Sequence, residues 1–292
     1  MEKMMQRKGK KKTMFLIAAV LAAVLVFSAF ALSQKLSVQR YVLSTEKLGS
    51  PVRLAIVADL HSTLYGESQD ELIAAILQES PDAVLFVGDI VDDGLSEEPV
   101  RFLFEALSPQ CPCFYVSGNH EYWSGRYSAI KAMISGCGVT VLEGEAAPLV
   151  INGQELCIAG VDDPEFWGGY FAYGGYDVPA EWLTQLKACG EAAAKSGAFS
   201  VLLSHRPELV DIYRESGFDL VVSGHAHGGQ VRIPGLVNGL FAPCQGWFPQ
   251  YAGGVYALGS TTLVVSRGLC RNELPRVFNR PELVVLTLSP QA

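Results

Sequence analysis

The stretch Ser223-Gly224-His225-Ala226-His227-Gly228-Gly229-Gln230 places two imidazoles one residue apart, with glycines on both sides. It follows Phe218-Asp219-Leu220-Val221-Val222, an apolar run typical of a buried strand. Glycines allow backbone angles that other residues resist, so the pattern predicts a strand that runs into a tight turn. Neutral imidazole is a common ligand of zinc and its neighbours, and the two side chains in such a turn can reach two metal ions.

Four other short apolar runs end in residues of the same chemical kind. Each of these predicted strands is followed at once by potential metal ligands: residues 52–58 by Asp59 and His61, residues 83–87 by Asp89, residues 114–117 by Asn119 and His120, and residues 200–204 by His205. All five histidines of the chain lie at these strand ends. We expect the strands to share one open α/β sheet, in which the ligand site lies at the carboxyl ends, so that five loops converge on one metal site.

The order of the remaining patterns indicates the fold class. From Pro51 onward, short apolar runs alternate with helix-like patterns, which is typical of an α/β domain. Residues 231–233, 255–258, 262–265 and 283–288 are predicted strands of a second sheet. Two sheets packed as a β-sandwich, with helices on the outside, are the simplest arrangement for this order.

The N-terminal region predicts a membrane segment. Residues 14–32 form an apolar run, and residues 1–13 carry six Lys and Arg, so the positive-inside rule predicts a cytoplasmic N-terminus and an extracytoplasmic remainder. The competing interpretation is a cleaved signal peptide, because Ala29-Phe30-Ala31 has the form of a cleavage site. The length of the run favours a retained single-pass anchor over 14–32, followed by a polar linker over 33–50 and one catalytic domain over 51–289.

The charge balance argues against nucleic-acid binding. The 292 residues carry a formal charge of −8, and residues 1–32 contain six Lys and Arg and one Glu, which leaves 16 basic and 29 acidic residues in the rest. That remainder therefore has a net charge of −13. Sequence-independent binding to nucleic acid needs a net positive face.

Taken together, the strand ends resemble a known family. The segments Asp59-x-His61, Gly88-Asp89-x-x-Asp92, Gly118-Asn119-His120-Glu121, His205 and Gly224-His225-x-His227 resemble, in order and spacing, the five motifs of the calcineurin-like metallophosphoesterases. The resemblance covers residues 52–288, and the residues around Gly228 and Arg267 are similar to a membrane-anchored bacterial branch. It implies an α/β/β/α fold and a phosphoric ester hydrolase with two divalent metal ions.

The resemblance also implies a role for each ligand. One ion would be held by Asp59, His61 and His227, the other by Asn119, His205 and His225, and Asp89 would bridge them. This mixture of carboxylate, amide and imidazole suits Mn, Fe or Zn. Two such ions activate a bridging hydroxide that attacks phosphorus in line.

His120 is the histidine that the family leaves off the metals, beside the leaving group, where it acts as a general acid or stabilises charge. Asp92 resembles the carboxylate that orients it, although an Asp in a loop often bonds its own backbone instead. Asp93 stands next to Asp92 and can take either place, although its spacing fits the family less well.

The substrate is less well determined by the sequence. Of four candidate arginines for phosphate oxygens, Arg206, Arg232, Arg267 and Arg276, we favour Arg232 and Arg267. Aromatic residues from two loops can bind an acyl chain, sugar or base, lie against lipid, or simply pack in the interior: Phe166, Trp167, Tyr170, Phe171, Tyr173, Phe241, Trp247, Phe248 and Tyr251. The bond cleaved can be a phosphodiester, a phosphomonoester or a pyrophosphate, in a lipid or another cell-envelope compound.

Two alternatives remain for the function. Some relatives in the resembling branch cleave the pyrophosphate of UDP-2,3-diacylglucosamine, which requires a domain that faces the cytoplasm. The second alternative is a non-catalytic scaffold that binds metal for support and interacts with a partner. The complete set of motifs, together with His120, favours an enzyme over such a scaffold.

Overall fold

The computed structural model describes residues 2–172, 175–271 and 274–291. Seven α-helices lie in these ranges: α1 (Glu2–Ala31), α2 (Asp70–Gln78), α3 (Glu98–Leu107), α4 (Asn119–Trp123), α5 (Tyr127–Gly136), α6 (Ala180–Ser196) and α7 (Val210–Glu215). The strands of the first half are β1 (Ser37–Thr45), β2 (Val52–Val57), β3 (Ala83–Val87), β4 (Cys113–Val116), β5 (Thr140–Val141), β6 (Glu145–Ile151), β7 (Gln154–Gly160) and β8 (Tyr170–Ala172). Those of the second half are β9 (Gly175–Asp177), β10 (Phe199–Leu203), β11 (Leu220–Ser223), β12 (Phe241–Ala242), β13 (Gly246–Trp247), β14 (Gly254–Leu258), β15 (Thr261–Val265) and β16 (Glu282–Pro290).

Two six-stranded sheets pack face to face. The first has the order β1-β16-β2-β3-β4-β5 and the second the order β14-β15-β11-β10-β7-β6. Their inner faces share one apolar core, in which Leu54 and Leu85 of the first sheet join Leu203 and Val222 of the second. The outer face of the first sheet packs against α2, α3 and α5, and that of the second against α6 and α7. The predicted sandwich with outer helices is therefore confirmed.

The assignment of strands to sheets differs from the sequence prediction. β16 lies in the first sheet between β1 and β2, and β10 and β11 lie in the second. Residues 231–233 form no strand, only isolated bridges from Val231 to Val277 and from Ile233 to Val237. An apolar run indicates that a strand forms but not which strand it pairs with, so these partners were not readable from the pattern.

Residues 33–50, predicted to be a polar linker, contain β1. This strand pairs in parallel with β16 from Ser37 opposite Glu282 to Thr45 opposite Pro290. It lies at the edge of the sheet and no residue in it is fully buried. Because an edge strand tolerates polar side chains such as Arg40, its apolar signal is weak and it resembles a connector.

Helix α1 includes the predicted membrane segment. Its part from Lys11 to Ala31 is 21 residues long and contains an 18-residue window with a mean hydropathy of 2.7, so it is long and apolar enough to cross a membrane, a test that a signal sequence also passes. The last turn touches the domain: the backbone N of Phe278 donates to the carbonyl O of Ala31 at 2.7 Å. The Phe278 ring also packs edge-on against Phe27, with 5.4 Å between the ring centroids.

Candidate metal centre

The sequence-predicted ligands meet where the carboxyl ends of the two sheets converge. The loops after β2, β3 and β4 of the first sheet approach those after β10 and β11 of the second. Five of the predicted ligands have left-handed backbone conformations, with φ between 46° and 63°: Asp59, His61, Asp89, His225 and His227. Such angles are unfavourable for residues other than glycine, and they concentrate at functional sites.

The two central carboxylates are fixed by backbone donors. The backbone N of His225 donates to Oδ1 of Asp59 at 2.8 Å, and that of His120 donates to Oδ1 of Asp89 at 2.8 Å. Both aspartates are buried, and Oδ2 of each has no hydrogen-bond partner among the described residues. Each carboxylate therefore turns one free oxygen into the site.

Two of the histidines are held through Nδ1. Nδ1 of His205 lies 2.9 Å from the carbonyl O of Val87, and Nδ1 of His227 lies 3.0 Å from Sγ of Cys270. Their Nε2 atoms point at the carboxylates, at 3.1 Å from Asp89 Oδ2 for His205 and 3.9 Å from Asp59 Oδ1 for His227. A neutral imidazole that donates through Nδ1 has an acceptor at Nε2, which can face a carboxylate closely only with a proton or a cation between them.

The other two histidines are held in different ways. Nδ1 of His61 lies 3.5 Å from Oδ2 of Asp92, and its Nε2 lies 3.6 Å from Oδ2 of Asp89. His225 is held through Nε2, which lies 3.2 Å from Nη1 of Arg206, so that Nδ1 is left for the site. Each ring thus has one nitrogen occupied by the protein and one available for a ligand.

The donors fit a pair of cations. Asp59, His61, Asp89 and His227 bring one ligand atom each within 4.8 Å of one another, Asp89, His205 and His225 do the same, and Asp89 belongs to both groups. Six buried atoms at this place have no partner among the described residues: Asp59 Oδ2, His61 Nε2, Asp89 Oδ2, Asn119 Oδ1, His205 Nε2 and His225 Nδ1. An unsatisfied buried polar atom costs about 1–3 kcal/mol, so a cluster of six indicates a site that is completed by a ligand.

The electrostatics also suit a cation. Burial alone would lower the pKa of His61 and His205, but Asp92 and Asp89 beside His61 raise its pKa to about 9, and Asp89 beside His205 raises its pKa to about 10. Burial lowers the pKa of His227 to about 3 and, together with Arg206, holds the pKa of His225 well below its usual value. The two buried aspartates therefore favour a positive charge in the site, and the proposed ligands include no lysine or arginine that would supply it.

His120 lies beside this cluster, with its ring 4.3 Å from that of His61. Its Nδ1 is 2.8 Å from Oδ1 of Asp93 but 4.0 Å from Oδ2 of Asp92, so Asp93 occupies the position that the resemblance implied for Asp92. Oδ1 of Asp92 accepts from the backbone N of Gly94 at 2.9 Å, which turns its other oxygen toward His61. The neighbouring carboxylate is then the one that reaches His120.

An open cavity of about 200 Å³ leads to the cluster. Eight residues line it: His61, Thr63, Asp92, Leu95, His120, His227, Cys270 and Arg271. The sequence did not indicate Cys270 or Arg271, because neither lies in a recognisable motif; only the structure shows that the thiol of Cys270 contacts His227.

The two arginines favoured for substrate binding differ in their surroundings. Arg267 is buried and donates to Oε2 of Glu282 at 3.0 Å and to the carbonyl O of Gly253 at 3.1 Å, which are contacts within the fold. Arg232 is half-buried and its Nε has no partner among the described residues. Neither arginine lines the cavity.

Two further charged residues support the loops. The buried carboxylate of Glu121 accepts from the backbone N of Asp89, Ile90, Val91 and Gly118 at 2.7–3.0 Å. Arg206, one of the candidate phosphate ligands, is instead buried and donates to both oxygens of Asp163 and to Glu165. Both residues are adjacent to a motif histidine, which is the sequence signal that they carry.

The aromatic residues around the site are divided between packing and exposure. Phe166 packs edge-on against Tyr127 and Trp167, whereas Trp247 and Phe248 are exposed. Tyr173 lies outside the described residues.

Comparison with known proteins identifies the family. The family model described as calcineurin-like phosphoesterase matches residues 52–229. Phosphodiesterase YaeI of Escherichia coli K12 is 27% identical over 245 residues, which are 82% of this chain and 83% of that protein. An uncharacterized metallophosphoesterase of Aquifex aeolicus is 30% identical over 263 residues, 87% of this chain and 92% of that protein.

The fold is also found among solved structures. The 5′-nucleotidase precursor from Thermus thermophilus superposes with a TM-score of 0.51 at 15% identity, over 82% of this chain and 54% of that one. At this identity the likeness supports the fold alone. The family match covers most of the domain, and the family's dinuclear divalent centre agrees with the two donor groups that share Asp89. The chain therefore belongs to the calcineurin-like phosphoesterases and is a metal-dependent hydrolase of phosphoric esters.

Proposed function

We propose that this protein is a membrane-anchored phosphodiesterase with two divalent cations. Asp59, His61 and His227 would hold one cation, Asn119, His205 and His225 would hold the other, and Asp89 would serve both. The observation that carries the proposal is that two groups of potential metal ligands share Asp89, in a place where six buried donor atoms have no partner among the described residues.

When bound, two such cations lower the pKa of a water molecule towards about 7 and neutralise charge on the phosphoryl oxygens. The donor set of imidazole, carboxylate and amide favours Mn, Fe or Zn over Mg or Ca, which prefer oxygen ligands only.

The chain itself supplies the proton for the leaving group. His120 lines the cavity and its Nδ1 is bonded to Asp93, so Nε2 is the nitrogen available to a leaving alkoxide. Asp93 fixes the orientation of the ring, because its Oδ1 lies 2.8 Å from Nδ1 of His120. We assign His120 as the general acid and Asp93 as the residue that positions it, while Asp92 positions the proposed ligand His61.

A phosphodiester is the bond that we favour. The name of the Escherichia coli relative, which spans most of this chain, is the support for that choice. Arg232 does not line the cavity, so we propose that it binds a part of the substrate that extends beyond it; its guanidinium Nε lacks a partner among the described residues, whereas the contacts of Arg267 with Glu282 leave it a structural role.

The N-terminal helix is proposed to be a retained anchor, with residues 1–13 in the cytoplasm and the catalytic domain outside. Ala31 would precede the predicted cleavage point, yet it is only 5% exposed and its carbonyl accepts from Phe278. Cleavage would remove these contacts, which supports an anchor over a signal peptide. An extracytoplasmic domain also argues against UDP-2,3-diacylglucosamine, which is made inside the cell.

The direct test is hydrolysis of bis-p-nitrophenyl phosphate by the full chain with added Mn²⁺. We expect Asp89→Asn and His120→Ala to lose most of the activity, because they remove the shared ligand and the proton donor. Asp211→Asn is the matched control, since Asp211 is exposed on α7 and pairs only with Arg214 in the contacts described. Equal rates for the wild type and the three variants would refute the mechanism. Rates measured with p-nitrophenyl phosphate and with a nucleoside diphosphate ester determine whether monoesters or pyrophosphates are preferred over diesters.

A further inference from the structure

The contact between α1 and the domain fixes the depth of the domain relative to the membrane that α1 is proposed to span. Phe278 packs against two residues of the last turns of α1, at 5.4 Å from the ring of Phe27 and 5.9 Å from that of Phe30. Its backbone N also donates to the carbonyl O of Ala31. The domain is thus attached to the side of the helix and not only to its end.

The length of the apolar run sets the depth of these rings. At about 1.5 Å per residue, residues 14–32 span about 28 Å, close to the hydrocarbon thickness of about 30 Å. A spanning helix therefore uses the whole run, and Phe27 and Phe30 lie at or inside the hydrocarbon boundary. Phe278 of the domain must then reach that boundary as well.

A second apolar segment lies next to Phe278. The turn at residues 233–237 is closed by a hydrogen bond from Ile233 N to Val237 O, and its base is joined to Val277 through Arg232 N. At its tip Leu236 is 80% exposed and Ile233 is 50% exposed. Exposed apolar side chains beside a membrane anchor are a feature of surfaces that contact lipid.

The same segment is tied to the metal centre. Nδ2 of Asn279, the residue after Phe278, donates to the carbonyl O of His227 at 2.7 Å. With about 3.8 Å between successive Cα atoms, His227 is on the order of 10 Å from the ring that touches the hydrocarbon boundary. The headgroup region extends about 5–8 Å beyond that boundary, so a distance of this size allows the metal centre to reach the level of lipid phosphates.

We infer that Phe278 and the tip formed by Ile233 and Leu236 sit on the bilayer, and that the substrate is a phosphodiester in a lipid headgroup. The inference rests on the proposed function and its anchored topology. It goes further because it names the face that contacts lipid and the class of substrate that this face delivers to the cavity.

The position of the face is tested without any substrate. The full chain is reconstituted in vesicles of phosphatidylethanolamine and phosphatidylglycerol, with and without brominated acyl chains, as Leu236→Trp and Val150→Trp. Val150 is 63% exposed on β6, on the sheet edge opposite β14, and is the matched control. We expect bromine to quench the added emission of Leu236→Trp and not that of Val150→Trp. Equal emission changes in the two variants would overturn the proposed face.

The substrate class is tested in the same vesicles. We expect the wild type with Mn²⁺ to cleave the headgroup diester of these lipids, and Ile233→Ser/Leu236→Ser to do so about tenfold more slowly, because two apolar contacts with lipid are lost. Hydrolysis of bis-p-nitrophenyl phosphate in water should be equal in both proteins, as it should for Val150→Ser on either substrate. If the wild type hydrolyses the soluble diester but not the lipid, the inferred substrate class is overturned. If it does not hydrolyse the soluble diester, the proposed function is overturned, and the bromine quenching alone then decides whether this face contacts lipid.

Discussion

The backbone N of Asp89 donates to Oε2 of the buried Glu121 at 3.0 Å. Oε1 of the same carboxylate accepts from the backbone N of Ile90 at 2.7 Å and of Val91 at 2.9 Å. One side chain from α4 thus fixes the turn after β3, and with it the ligand that we propose to be shared by both cations.

Glu121→Gln is expected to weaken both the fold and the metal centre. A glutamine turns an N–H₂ group toward backbone donors, and a hydrogen bond to a charged acceptor is worth about 1.5–3 kcal/mol, so we expect the free energy of unfolding to fall by about 2–3 kcal/mol. Mn²⁺ affinity should fall at least about tenfold, as it does when a group that orients a ligand is changed. Urea denaturation and Mn²⁺ titration measure the two effects. Glu181→Gln, at an exposed position of α6, is the control. Equal urea midpoints for the two variants would contradict the role of Glu121.

Asp92→Asn and Asp93→Asn are expected to fail in different ways. Because Asp93 lies 2.8 Å from His120, its loss should lower kcat by about 10–100-fold and leave two metal ions bound. Because Asp92 lies 3.5 Å from His61, its loss should lower metal affinity by about 10–100-fold and spare kcat at saturating Mn²⁺. Metal analysis beside kinetics separates the two, and the reverse pattern would return the pairing with His120 to Asp92.

The same pair of residues shows how far sequence reasoning reaches. The pattern of strand ends predicted that Asp59, His61, Asp89, His205, His225 and His227 would meet, and the structure brings them together. It favoured Asp92 as the partner of His120, which was wrong: the turn at Gly94 takes one oxygen of Asp92 and directs the other toward His61, and Asp93 reaches His120 instead. Spacing along a chain carries no information about such a turn.

The fold, like the site, was predictable from the sequence only in part. The sandwich and most of its strands were predictable, because period-two and buried apolar runs determine where strands form. The parallel pairing of β1 with β16 joins residues at opposite ends of the chain, and β1 has polar residues at an edge. Neither a local pattern nor composition reports a contact of that kind.

Metal binding is expected to release protons near neutral pH. The pKa values of His61 and His205, raised to about 9 and about 10 by neighbouring carboxylates, keep both rings protonated at pH 7 when no cation is bound. A cation binds only the neutral ring, so each must lose its proton. Calorimetric titration of the chelator-treated protein with Mn²⁺ in buffers of different ionisation enthalpy should give about two protons released at pH 7. Heats that do not depend on the buffer would contradict this.

Stability should also depend on pH differently in the metal-free and metal-bound forms. A histidine whose folded pKa is raised contributes stability that is fully present below its unfolded pKa of about 6.5 and is lost as the pH rises through the folded pKa. With a chelator, the free energy of unfolding should therefore fall between pH 7 and 9. With excess Mn²⁺ it should stay nearly constant over the same window, because both rings are neutral in the metal-bound protein as they are in the unfolded chain. Parallel slopes in the two series would argue against His61 and His205 as ligands.

Arg206 is expected to support the metal centre through His225. Its Nη1 lies 3.2 Å from Nε2 of His225, while its other nitrogens bind Asp163 and Glu165. Arg206→Met leaves buried carboxylates without a counter-charge, so we expect the free energy of unfolding to fall by about 3–5 kcal/mol.

Arg206→Lys keeps the charge but cannot hold the His225 ring and Asp163 together, so its main effect should be weaker binding of one of the two cations. Metal stoichiometry measured at limiting Mn²⁺ should fall from two ions toward one in Arg206→Lys, whereas Arg214→Lys, in an exposed pair with Asp211, should keep both. Two tightly bound ions in Arg206→Lys would show that His225 is oriented without this contact.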